Sequence, residues 1–239
     1  RKAETVLKNA TFVNVFTGEL QKGDIALDGG KIVGFGDYEG VKEYDLTGKI
    51  AVPGLIDAHV HVESSQLSPE EYAKIILPRG TTTIIADPHE ITNVCGIAGA
   101  KYISDACANT PLEAKVMLPS CVPATGFETS GAVLTGADTE KYIREGFIHG
   151  LGEFMNYPGV IYKDKEALKK LEAAIAAGKV IDGHAPDTSG KGLNGYICAG
   201  IQTDHECTSQ KEALEKISKG MYVHLREGSA TRNVAENCK

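Results

Sequence analysis

From Gly54 onward the chain repeats one pattern seven times: a short apolar run, a loop, and in most repeats a helix-like segment. Parallel strands need crossovers of this kind, so the repetition predicts an α/β fold built on a parallel sheet. The strand runs are 54–61, 81–86, 113–118, 150–153, 180–184, 201–205 and 221–225. Seven such units predict a (β/α)8 TIM-type barrel that lacks its last strand. An open doubly wound sheet would not bring strands one, four, five and six around one centre. The P-loop is missing from the sequence. Helix signals fall between the strands. Ser68, Pro69 and Glu71 form an N-terminal cap pattern. A helix is predicted over 163–177, stopped by Gly178, and another over 209–218, stopped by Gly220.

The first 52 residues read differently. Runs 5–7, 11–15, 24–27 and 31–35 alternate as strands, and Thr17-Gly18 and Asp28-Gly29-Gly30 supply turn chemistry. They predict a small N-terminal β unit, part of a β-sandwich-like domain, over 1–52. The incomplete barrel, strands one to seven, follows over 53–239. The β unit has little core of its own, so strands beyond this chain are expected to complete it. The opening Arg1-Lys2-Ala3-Glu4 has neither an initiator Met nor the apolar core of a signal peptide, as in a cropped chain.

The net charge of −7 argues against nucleic acid or an anionic membrane as the main partner. No apolar run approaches the roughly 18 residues of a membrane span. The six cysteines show no C-x-x-C spacing, which speaks against a zinc ribbon and for reduced thiols in a cytoplasmic protein. Cys207 sits two residues after His205, but a free Cys is commonly a small buried apolar residue.

The chemistry sits at the strand ends. His59 and His61 are one residue apart on a strand, so they share a face, with Val60 and Val62 on the other. His89 follows strand two, Glu153 ends strand four, His184 ends strand five and His205 ends strand six. In a barrel of this kind the carboxyl ends of the strands form the active site. Any one of these histidines alone is better read as a hydrogen-bonded structural residue; their agreement with one geometry favours a metal site. Imidazoles with a carboxylate suit divalent Zn, Mn or Fe. Glu153 can bridge two such ions and lessen their repulsion. A metal-bound water ionises near neutral pH and becomes a nucleophile, so the set suggests hydrolysis of a C–N bond.

The stretch Pro53-Gly54-Leu55-Ile56-Asp57-Ala58-His59-Val60-His61 resembles the signature of the amidohydrolase superfamily of metal-dependent hydrolases. A narrower likeness is to its adenine deaminase group. It is carried by Glu63-Ser64-Ser65, by residues 86–91 (Ala-Asp-Pro-His-Glu-Ile) and by residues 150–159 (Gly-Leu-Gly-Glu-Phe-Met-Asn-Tyr-Pro-Gly). Residues 182–186, 203–208 and 226–230 add to it. The likeness runs over nearly the whole chain.

The resemblance implies two divalent metal ions, Mn2+ or Fe2+ with Zn2+ as an alternative. It implies hydrolytic deamination of adenine to hypoxanthine and ammonia, a purine-salvage reaction, with metal-bound hydroxide attacking purine C6. His59 and His61 would hold one ion, His184 and His205 the other, and Glu153 would bridge where many relatives use a carboxylated Lys. Glu153 and His205 are the implied catalytic residues, and a Glu near the metals would protonate purine N1. His89 and Glu90 would touch substrate or an additional ion; a loop-fixing role suits them equally. Arg226 and Glu227 would contact the purine, or brace the loop. The small-molecule substrate is adenine, with no nucleic-acid or membrane partner, and a cytoplasmic homo-oligomer is expected. The family's metal-binding Asp of strand eight lies outside this chain, so the 239 residues alone are expected to be poorly active. Two other functions stay open: a different amidohydrolase (an N-acyl amino-sugar deacetylase or a cyclic amidase), or a non-catalytic truncated barrel acting as a scaffold. A nucleic-acid deaminase fits less well, since H-x-E…P-C-x-x-C is missing.

Overall fold

The computed structural model describes residues 1–228 and 231–238. Two compact units divide at Gly54/Leu55. In the first, β1 (Ala3–Val13), β2 (Leu20–Asp28), β3 (Lys31–Gly36), β4 (Gly40–Asp45) and β5 (Ile50–Ala51) form one mixed sheet in the order β3-β2-β1-β4, with β5 also on β1. The predicted runs 5–7 and 11–15 are one strand. Its pairing with β2 shifts between Leu7 and Ala10, where Asn9 takes φ 56°. Asn9 N–H donates to Asp24 Oδ1 at 3.0 Å, and its side-chain amide donates to Asp45 at 3.0 Å, which fixes the irregularity. The strands β4 and β5, which pair in parallel with β1, carry no clear alternation and were not expected.

The second unit begins with β6 (Leu55–Val60), α1 (Pro69–Ile76), β7 (Thr81–Ala86), α2 (His89–Cys95), α3 (Ile97–Ala108) and β8 (Glu113–Leu118). It continues with α4 (Gly136–Tyr142), β9 (Ile148–Phe154), α5 (Tyr157–Ile161), α6 (Lys165–Ala176), β10 (Val180–Gly183) and α7 (Gly190–Cys198). The last elements are β11 (Thr203–Asp204), α8 (Gln210–Ser218), β12 (Tyr222–Val223) and α9 (Val234–Asn237).

Strands β6 to β10 pair in parallel in sequence order, the winding of a (β/α)8 barrel. Strands six and seven are shorter than expected. They form a separate parallel ladder, β11–β12, and join β10 through Gln202 N–H to Ile181 O at 3.2 Å. The interior of this unit is one apolar cluster, including Ile84, Leu118, Leu151, Phe154, Leu171, Ile181 and Leu193. Every residue of β9 except His149 is buried, as in a parallel strand covered on both faces.

The helix predicted over 163–177 begins two residues later. Lys163 takes φ 62°, outside the helical region, and Asp164 caps the helix by accepting from Ala167 N–H at 2.8 Å. Ala167, Leu171 and Ala174 then fall on one buried face. Ser68 caps α1 as expected, accepting from Glu71 N–H. No helix among the described residues is long and apolar enough to cross a membrane.

Candidate metal centre

Five histidines from four strand ends close on one carboxylate. Glu153, near the end of β9, is 3% exposed. Its Oε1 lies 3.1 Å from His89 Nδ1 and 3.5 Å from His61 Nε2. Its Oε2 lies 2.6 Å from His184 Nδ1, 3.0 Å from His205 Nε2 and 3.8 Å from His59 Nε2. The two oxygens thus face two different sets of imidazoles. Burial alone would raise the Glu153 pKa, but the contacts with His184, His205 and His89 outweigh it and hold the group far below its ordinary value.

Backbone geometry delivers this side chain. Glu153 N–H donates to the buried Asp87 carboxylate at 2.7 Å, and its carbonyl accepts from Ser120 Oγ at 2.5 Å. Asp87 reaches that position because Gly152 has no side chain; a Cβ there would overlap the Asp87 carboxylate. On β10, a Cβ at Gly183 would likewise overlap the Thr203 carbonyl, so close approach of β10 to β11 also requires glycine.

Two further contacts set the tautomers. His59 Nδ1 is 2.7 Å from the Asp182 carboxylate, and His61 Nδ1 is 2.8 Å from the Asp87 carbonyl. Both acceptors lack a proton, so Nδ1 of each ring donates, and each Nε2 carries a lone pair whenever its ring is neutral. Those Nε2 atoms face one another at 3.1 Å. Facing lone pairs repel unless a proton or a metal ion lies between them. His205 Nε2 and His89 Nδ1 meet the Glu153 oxygens at close range but out of hydrogen-bond alignment, and His205 Nδ1 and Asp87 Oδ1 have no hydrogen bond. Burial opposes charge on His61, yet Glu90, Asp87 and Glu153 raise its pKa to about 10. Burial likewise pushes Asp87 up to about 6. The pocket therefore attracts positive charge and presents the N and O donors of a divalent ion, and the donor set fits such an ion. Five donor groups are formed by these residues: His59–His61–Glu153, Glu153–His184–His205, His59–Asp182–His205, Asp87–His89–Glu153 and His61–His89–Glu90.

The other expected residues are spread more widely. Glu90 lies 3.4 Å from His61 Nδ1 and 3.6 Å from His89 Nε2, and accepts from Ser64 Oγ at 2.7 Å. Burial would raise its pKa, but His61 and His89 bring it down to about 2. Arg226 pairs with Glu206, which in turn lies 3.5 Å from His205 Nε2 and 3.9 Å from His184 Nδ1. Glu227 is exposed and bridges in backbone to Arg232, apart from the cluster. Ser229 and Ala230 of the same stretch lie outside the described residues. Cys207 is buried, which pushes its thiol up to about 12, and it belongs to none of the donor groups among the described residues. His149 and His224 likewise stand outside them.

Sequence reasoning missed Asp182, Asp87 and Glu206. Asp182 had a usable signal: it precedes His184 by two residues on a strand and so shares its face. Asp87 and Glu206 each adjoin a strand end, but nothing in their spacing marks them out.

The model of the amidohydrolase family matches residues 50–238. Among curated proteins, the chain is similar to an adenine deaminase from Clostridium acetobutylicum, 53% identical over 98% of this chain and 41% of that protein. It is also similar to an adenine deaminase from Methanoculleus marisnigri, 56% identical over 88% of this chain and 40% of that protein. The chain thus spans about two fifths of the length of these relatives. Among solved structures, a beta-aspartyl dipeptidase from Fervidobacterium islandicum AW-1 superposes with a TM-score of 0.61 at 16% identity, covering 100% of this chain and 69% of that one. An N-acyl-D-glutamate deacylase from Bordetella bronchiseptica gives 0.61 at 13% identity, covering 94% and 58%. At such identities these two speak for the fold alone. The family match and the His, Glu and Asp donor groups together indicate use of a divalent metal. With the family's model matched from β5 to the end of α9, the chain belongs to the amidohydrolase family.

Proposed function

We propose that this chain supplies the metal-holding part of an enzyme that hydrolyses adenine to hypoxanthine and ammonia. The observation that carries the hydrolytic reading is the setting of Glu153, with one oxygen toward His61 and His89 and the other toward His184 and His205. A bridging carboxylate between two cations needs that arrangement. The choice of adenine rests on likeness to proteins named adenine deaminase, about half identical over nearly all of this chain. His59 and His61 would hold one ion, His184 and His205 the other, with Glu153 as the carboxylate between them. The metals are Mn2+ or Fe2+, with Zn2+ as the alternative. When bound, they supply Lewis acidity and lower the pKa of a water so that it can attack near neutral pH.

The chain's own residues orient and neutralise. Asp182 and the Asp87 carbonyl keep His59 and His61 in the tautomer that offers Nε2. Glu153 and His205 are the catalytic residues in this reading. Water adds to purine C6, N1 takes a proton, and the amino group leaves as ammonia after taking a second. The nearby carboxylates are the proton carriers. His89, Glu90 and, through its pairing with Glu206, Arg226 are the residues in this reading that would meet the purine, while Glu227, apart from the cluster, braces the loop. We extend the reading to a homo-oligomer in the cytoplasm, with neither nucleic acid nor membrane as partner; the net charge of −7 accords with that.

The test is ammonia release from adenine by the full chain after loading with Mn2+ or Fe2+, run beside acetate release from N-acetyl amino sugars. Metal-dependent ammonia release supports the reading. Acetate release with adenine untouched overturns the substrate, and no bound metal overturns the centre.

A further inference from the structure

His184 and His205, which face the same oxygen of Glu153, sit on two separate loops. His184 opens the loop after β10, and His205 opens the loop after β11. One side chain ties both. Lys216, on α8, is 0% exposed. Its Nζ donates to the carbonyl of Ala185, the residue after His184, at 2.8 Å. It also donates to Asp204 Oδ2, on the residue before His205, at 3.2 Å. The third donor meets Glu212 Oε1, one turn earlier on the helix, at 2.6 Å.

The acceptors are shared across the loops. Asp204 Oδ2 also takes Ala185 N–H at 2.8 Å, and Asp204 Oδ1 takes Glu206 N–H at 2.6 Å. Glu212 takes Asp187 N–H and Thr208 N–H, each at 3.0 Å. An ammonium has three donors, and here all three are satisfied. Stability alone does not call for such a network, since apolar replacements of a buried ion pair are often neutral or stabilising. What the network does is hold the backbone just after His184 and on either side of His205. His59 and His61 are supported elsewhere, by Asp182 and the Asp87 carbonyl.

We propose that Lys216 is a positioning residue for one half of the metal centre: it sets the separation of His184 and His205, and through it the affinity for the ion they hold. This rests on the two-metal reading above. The test is titration of the metal-depleted full chain with Mn2+, with free Mn2+ followed by electron paramagnetic resonance. Four proteins are compared: the wild type, Lys216→Met, Glu212→Gln, and Leu171→Ala as a core-destabilised control. The wild type is expected to bind two equivalents. Lys216→Met retains one at wild-type affinity and holds the second roughly 10- to 100-fold more weakly, the range for loss of a ligand-orienting partner. Glu212→Gln shows a smaller loss at the same equivalent, and Leu171→Ala retains both. If Lys216→Met does not fold, Glu212→Gln decides. The inference is overturned if the variants keep both equivalents at wild-type affinity, lose both in step, or are matched by Leu171→Ala. A wild type that binds fewer than two equivalents refutes the two-metal reading itself, and the inference with it.

Discussion

Removing the Asp182 carboxylate tests how far the ligand tautomers are set from outside the metal centre. His59 Nδ1–H donates to Asp182 Oδ2 at 2.7 Å, a length typical of a charge-assisted bond. Asp182 is 4% exposed, and its pKa is lowered: burial would raise it, but His59 outweighs burial, so it stays ionised. A hydrogen bond to a charged group contributes about 1.5–3 kcal/mol. At about 1.4 kcal/mol per factor of ten, losing it weakens the ion held by His59 by roughly 10- to 100-fold. Asp182→Ala removes both charge and acceptor and is expected at the upper end. Asp182→Asn retains the shape with a neutral acceptor and is expected at the lower end. Thr203→Val, which loses a hydroxyl contact to the other Asp182 oxygen and an acceptor for Gly183 N–H but leaves the carboxylate in place, is expected to lose several-fold at most. The assay is calorimetric titration of Mn2+ into metal-depleted protein, with far-ultraviolet circular dichroism to confirm folding. A folded Asp182→Ala protein that binds Mn2+ within about threefold of wild type, below the range for an orienting partner, would refute the argument.

Glu153→Gln removes the charge between the two imidazole sets, and several kcal/mol of stabilisation with it; metal-dependent ammonia release is expected to fall by at least ~10³-fold, and steady-state rates would show otherwise. Leu171→Ala opens a cavity in the fully buried face of α6 and is expected to cost about 2–5 kcal/mol, lowering Tm by roughly 4–20 °C in scanning calorimetry. A fall under 2 °C would argue against the packing described. In the first unit, Lys8 above all, with the Asn9 and Tyr38 amides, lowers the Asp24 pKa below its ordinary 3.8 despite burial. A depressed carboxylate stabilises fully above its unfolded pKa, and that stabilisation is lost as pH falls through the folded value. Asp24→Asn should therefore flatten the acid limb of the first unit's stability below about pH 4, followed by acid titration of its circular dichroism; an unchanged limb would count against it.

How much of this could be read from residues alone depended on periodicity. The strands of the parallel sheet were legible because apolar runs ending in His or Glu recur between helix caps, and β8 was expected over the very residues it occupies. The short β11 and β12 were overextended, because Ile201 and Met221 are apolar for packing rather than for pairing. Helix α2 was not legible because its first turn is made of the site residues His89 and Glu90, and α3 follows it after the single residue Gly96. At the site, the histidines announced themselves by type and position. The groups that orient them did not: Asp182 and Asp87 are ordinary residues until their partners are known, and nothing in the spacing of α8 separates Lys216 from the exposed Lys211.

The bare backbone at Gly152 and Gly183 carries a consequence for variation at this centre. Alanine is the mildest replacement for glycine by size and chemistry, yet at 152 it would evict the carboxylate that anchors the bridging residue, and at 183 it would push β10 off its neighbour. Neither residue has a side chain with which to hold an ion. Drift at this centre is thus constrained at two sites that a ligand-based view would pass over as blank.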